Sequence, residues 1–212
     1  MKYPGLLLLL LPVYSSAQQT LSVQPQWRGN LLETGRFYPG PQSGDSLRID
    51  VLRFYLGVLP SGEAINHSYH LIDLAHPESM HIPLKPEMAQ TPFTLLLGVD
   101  SMTQMDGAGG GALDPTQGMY WTWQSGYIHL KLEGILHKAE GRNIPFSYHI
   151  GGFEGKDNTL QRIPADQSGI LKPRLDILFR KLDPALLPEV MSPGTKAVMI
   201  SRAWKDCFSS EP

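Results

Sequence analysis

Apolar residues recur at every second position in several short stretches of this chain. From Gly126 it alternates, Tyr127-Ile128-His129-Leu130-Lys131-Leu132-Glu133-Gly134, with apolar residues at 128, 130 and 132. That period of two predicts a half-buried strand ending at a glycine. Residues 46–59 predict a long strand, in which Leu47, Ile49 and Val51 alternate with polar neighbours before Phe54-Tyr55-Leu56 breaks the pattern. Residues 68–73 and 144–150 predict two further strands, and residues 175–180 a last one. Residues 93–99 are apolar almost throughout, which suits a strand covered on both faces. Residues 18–30 are ambiguous. Residues 31–45, rich in Gly and Pro, predict a loop. Helical spacing emerges at the C-terminal end, where Ala197, Ile200, Trp204, Cys207 and Phe208 share a face behind a Ser192-Pro193 start signal. Several short strands with Gly/Pro turns predict an all-β fold, an antiparallel β-sandwich with a short C-terminal helix. Residues 18–212 suit one domain.

Composition and the chain's N-terminal segment sharpen this picture. Glycine at 21 and proline at 18 of 212 residues agree with many turns and short strands. The net charge of −2 argues against a nucleic-acid binder or a protein held on an anionic membrane. Residues 1–17 read as a cleaved export signal: Lys2, an apolar segment at 6–11 too short to span a bilayer, then small residues Ser15-Ser16-Ala17 before Gln18. No later stretch approaches a membrane span, so a periplasmic or secreted chain beginning near Gln18 is expected. The only cysteine, Cys207, forms no intramolecular disulfide and falls on the buried face of the C-terminal helix.

The densest chemistry lies in Gly109 to Tyr127. A glycine run leads through Asp114-Pro115 to two tryptophans and two tyrosines within eight residues, Tyr120-Trp121-Thr122-Trp123-Gln124-Ser125-Gly126-Tyr127. Aromatics at such a loop-to-strand junction commonly plug a sheet's core. The glycines lack the Lys-Ser/Thr of a phosphate loop and form a mobile connection. No nucleophile elbow, HExxH or CxxC is present, and no acid–base pair stands out, so a binding protein rather than an enzyme is expected. Of seven histidines, His70 and His149 are distinct because each interrupts an apolar strand pattern, and Gly151-Gly152 follows His149. Asp100, Asp106 and Asp114 offer oxygen ligands for a secondary calcium site, although loop aspartates ordinarily cap turns.

Several segments together resemble the MbnP-like family of exported copper-binding proteins. They are Arg53-Phe54-Tyr55-Leu56, Tyr69-His70-Leu71-Ile72-Asp73 with Pro77-Glu78-Ser79, Gly98-Val99-Asp100-Ser101, Gly111-Ala112-Leu113-Asp114-Pro115, the segment from Gly118 to Tyr127, Glu133-Gly134, and Tyr148-His149-Ile150-Gly151-Gly152. The resemblance implies a β-rich fold holding one copper ion. It also implies a tryptophan oxidised to kynurenine by a di-haem cytochrome c peroxidase-like partner, with Trp121 and Trp123 as candidates. His70 and His149 are the matching histidines, expected to face each other from separate strands. The chemistry is coherent, since imidazole suits copper and kynurenine carries an aryl amine and a ketone that indole lacks.

A second function class fits the same residues. Trp121, Trp123 and Tyr127 could instead form a solvent-facing stacking platform for a glycan or a protein. Burial separates the two: buried aromatics near the histidines favour copper, and an exposed aromatic row favours the binding module.

Overall fold

The computed structural model describes residues 19–60, 68–86, 93–121, 126–165 and 168–209. The strands in chain order are β1 (Thr20–Val23), β2 (Gln26–Trp27), β3 (Asn30–Leu31), β4 (Phe37–Pro39), β5 (Ser46–Pro60), β6 (Ser68–Asp73), β7 (His81–Pro83) and β8 (Phe93–Leu97). A short helix, α1 (Ser101–Met105), precedes β9 (Tyr120–Trp121), β10 (Gly126–His137), β11 (Asn143–Gly151), β12 (Gln161–Pro164) and β13 (Ile170–Leu171). The chain closes with α2 (Leu175–Lys181), β14 (Glu189–Val190) and α3 (Thr195–Asp206).

Strand β5 is the axis of a nine-stranded sheet. Leu47 pairs with Leu136 and Tyr38, Phe54 with Leu130 and Ile72, and Leu56 with His70 and Leu97. One edge of β5 therefore carries β10 and then β8, while the other carries β4 and then β6. Beyond Phe54 the sheet forks: β10 leaves toward β9, and β8 takes over with β12 outside it. Strand β11 flanks β10 and accepts β14 in parallel.

The inner face of this sheet, formed by Leu47, Ile49, Leu52, Phe54, Leu56 and Val58, is buried. Apolar residues of β1 and β7, which belong to a separate three-stranded sheet, share that core with α2 and α3. Phe54 meets Trp204 of α3 edge-on at 5.2 Å, and Phe146 meets Phe179 of α2 at 5.5 Å. The fold is mostly β, with one dominant curled sheet covered by a small sheet and helices. Pairing is mostly antiparallel, with parallel β1–β13 and β11–β14.

Three expectations need correction. Residues 175–180 form a helix, not a strand. Leu175, Leu178, Phe179 and Leu182 are buried at positions three, four and seven apart, which seats them on one helical stripe. Residues 31–45 hold the end of β3 and the short strand β4 rather than an unbroken loop. Helix α3 begins after Gly194, with no side-chain cap from Ser192. Cys207 is fully buried at its end, where burial pushes the thiol up to about 12.

Candidate functional site

The outer face of the main sheet carries polar residues where the inner face carries aliphatics. Register aligns His149 with Lys131, Lys131 with Arg53, and Arg53 with Asp73, so these four stand in one row across β11, β10, β5 and β6. One step along, Ser147 and Glu133 form the next row on the same face. His149 Nε2 lies 2.7 Å from Glu133 Oε1 and 3.4 Å from Ser147 Oγ, while Lys131 Nζ is 3.7 Å from the same Glu133 oxygen. Nε2–H donates to Glu133, which leaves the Nδ1 lone pair of a mostly buried imidazole without a hydrogen-bond partner among the described residues. A carboxylate holding one ring nitrogen while the other stays available is the usual support of a metal-ligating histidine. At the far end of the row Arg53 Nε sits 2.9 Å from Asp73 Oδ2, an ion pair too bent to count as a hydrogen bond.

Trp121 reaches this face from above. A side chain on Gly151 would place its Cβ 2.7 Å from Trp121 Cζ3, so the indole lies directly on that glycine. Gly151 is two residues beyond His149 on the same strand, hence on the same face. Trp121 belongs to a second apolar cluster with Tyr55, Val99, Met119, Tyr127 and Ile128, separate from the core that faces the helices. Tyr127 contacts Tyr55 at 5.6 Å and Tyr120 at 4.9 Å, both edge-on. Its hydroxyl accepts from Gly109 N at 2.8 Å and donates to Leu113 O at 2.9 Å, which pins the glycine run to the sheet. Trp121 also floors a cleft bordered by Gly126, Gly152, Phe153, Glu154 and Asp157. Trp27 and Trp204, by contrast, belong to the helix-facing core, Trp27 lining a separate pocket with Arg28 and Phe179. Trp121 is 7% exposed and Tyr127 wholly buried, so these two do not form a solvent-facing platform.

The remaining sequence-derived candidates are placed otherwise. His70 pairs with Leu56, three residues from Arg53 on a strand without irregularity there, and so projects from the inner face beside Ser68, 3.1 Å from its hydroxyl. Burial lowers its pKa. His70 and His149 therefore lie on opposite faces and do not face each other. Trp123 lies outside the described residues. The acidic trio is engaged locally. Asp100 caps α1 through Met102 N and Thr103 N and accepts from the Tyr69 hydroxyl, Asp106 is the C-terminal cap residue of the same helix, and Asp114 accepts from Thr116 N and Oγ1. They do not assemble a calcium site. Among the described residues no three His, Cys, Asp or Glu side chains are grouped to hold a metal ion.

One histidine gained a role that alternation concealed. His129 falls on the polar phase of its strand, but the β10–β11 register shifts between Ile128 and Leu130. The bulge turns His129 into the fork between β10 and β8, where it is 4% exposed. Gly98, at φ +119, lets the ring approach where a Cβ would lie 2.5 Å from its Nδ1. The Gln104 amide donates to Val99 O and to His129 Nε2, both at 2.9 Å, and its oxygen accepts from Tyr127 N. Nδ1–H then donates to Thr159 Oγ1 at 2.9 Å, so the neutral ring is fully satisfied. Burial holds its pKa down to about 4.

A comparison with protein families finds a match to the model described as MbnP over residues 16–181. No curated protein and no solved structure matches the chain.

Proposed function

The chain belongs to the MbnP family, and on that premise we propose that it is an exported copper-binding protein whose site lies on the outer face of its main sheet. The observation that carries this reading is the seating of Trp121 on Gly151, two residues along β11 from His149 and on the same face, with Glu133 holding His149 Nε2. His149 Nδ1 supplies one nitrogen ligand. Imidazole binds copper well, and an imidazole steadied by a carboxylate is a better ligand than a free one. A single imidazole leaves the ion's coordination incomplete. Oxidation of Trp121 by peroxide or dioxygen at a di-haem peroxidase-like partner, cleaving the indole C2–C3 bond and releasing C2 as formate, would create the aryl amine and ketone of kynurenine that complete it. Trp121 borders a cleft beside this face, whereas Trp27 and Trp204 belong to the core on the other side of the sheet, so Trp121 is the candidate for that oxidation. Bound copper supplies a Lewis-acidic, redox-active centre; the protein's part is to orient the imidazole and exclude water with the tyrosine-rich cluster. Binding rather than turnover is the role this fits. Among the described residues no helix is long and apolar enough to cross a membrane.

Copper titration of the chain from Gln18 onward tests the site. His149→Ala should abolish tight binding, and His70→Ala should leave it unchanged. Glu133→Gln should weaken it roughly 10–100-fold, the usual cost of losing a ligand's supporting carboxylate. Equal affinity of His149→Ala and the parent would place the site elsewhere. Mass spectrometry of the peptide carrying Trp121, purified from cells with and without a di-haem partner, checks the oxidation.

A further inference from the structure

We propose that Met102 and Met105 form a second, sulfur-only site for Cu(I), separate from the His149 face. Both lie on α1, three residues apart, which sets their side chains on one face as neighbours. They are 59% and 71% exposed. Exposed apolar side chains are ordinary when scattered singly; here two adjoin on one turn. The helix's rotation is fixed from its opposite side. Gln104 is buried and locked to Val99 O, His129 and Tyr127 N, and Asp100 caps the first turn, so the pair is held pointing away from the core.

Thioether sulfur is a soft, neutral ligand that selects Cu(I) over harder divalent ions. Two thioethers suit the low coordination numbers Cu(I) accepts. Neither has a proton to lose, so binding here is independent of pH across the range in which imidazole protonates. The position is also informative. Ser101 Oγ donates to Phe153 O at 2.9 Å, and Phe153 borders the cleft floored by Trp121. The methionine pair is therefore carried on the helix that Ser101 ties to the rim of that cleft, a position from which a weakly held ion could be passed toward Trp121. That sense rests on the copper reading above; the ligand chemistry of the pair does not.

Anaerobic Cu(I) loading of the chain from Gln18 onward, followed by X-ray absorption at the copper edge at pH 7 and pH 5, tests this. The parent should show sulfur scatterers at both pH values, and Met102→Leu/Met105→Leu should lose them. Leucine conserves volume at these exposed positions, so the fold is retained. Shifts of the two methionine methyl resonances on adding Ag(I), read by NMR, identify the pair independently. Absence of sulfur scatterers in the parent, or their survival in the double leucine variant, overturns the proposal. His149→Ala should remove nitrogen ligands and leave the sulfur signal. If nitrogen ligation survives that substitution, the His149 reading fails while the methionine site stands.

Discussion

His129 shows how much one buried residue can decide. Its ring is neutral in the folded chain because Gln104, Thr159 and the backbone of Gly98 leave no room for water or a counter-charge. Since the folded pKa, about 4, lies below the ordinary 6.5, the unfolded chain takes up a proton first as pH falls. The contribution is complete above about pH 6.5 and is lost toward pH 4, amounting to roughly 3 kcal/mol. Urea unfolding across that window should show the parent declining more steeply than His129→Gln by about that amount. Gly151 makes a second residue-scale prediction. A Cβ there would lie 2.4 Å from Tyr127 O as well as against Trp121. Gly151→Ala should cost about 1–3 kcal/mol by overpacking and should quench or shift Trp121 fluorescence. Neither constraint was legible in the sequence: His129 sat on the polar phase, and Gly151 stood out only as part of the glycine pair after His149.

At the scale of elements, the strands that were most legible were those with one clean face. Strand β11, with Ile144, Phe146, Tyr148 and Ile150 in alternation, lies within a residue of its predicted limits, because alternation over six or more residues excludes a helix. Residues 175–180 failed for the opposite reason. A short run with several apolar side chains fits a period of two and a period of 3.6 alike, and packing against Trp27 and Phe146 selected the helix. Helix α1 is too short to persist on propensity and depends on its cap. Asp100→Ala removes the acceptor for Met102 N, Thr103 N and the Tyr69 hydroxyl. It should cost about 1–2 kcal/mol, the upper part of the range for a lost N-cap, measured by thermal unfolding. Faster hydrogen exchange confined to residues 101–106 should accompany it.

For the whole molecule, the main sheet separates two layers with different tasks. Its inner face supplies stability with α2, α3 and the small sheet; its outer face carries the candidate chemistry. Leu132, fully buried on the inner face, should cost about 2–5 kcal/mol when replaced by alanine, yet leave copper stoichiometry at low temperature unchanged. The proposed export is tested on the whole chain: N-terminal sequencing of protein recovered from the periplasm or medium should begin near Gln18.

The sequence by itself determined the β-rich class, the buried C-terminal cysteine and the family, because these rest on local periodicity and on motifs whose order survives without coordinates. It also offered Trp121 or Trp123, and His70 with His149, as candidate site residues. It paired His149 with His70, however, since both interrupt apolar strands and nothing along one strand says which face another strand presents. That decision belongs to register. Arg53 pairs with Lys131 on one edge and Asp73 on the other, and this puts His149 on the face of Arg53 and His70 on the reverse. A shift of one residue in β6 would have reversed the outcome, because side chains alternate strictly with period two. The fork that buries His129 and the glycine that seats Trp121 are likewise products of strands distant in sequence, brought together only by the sheet.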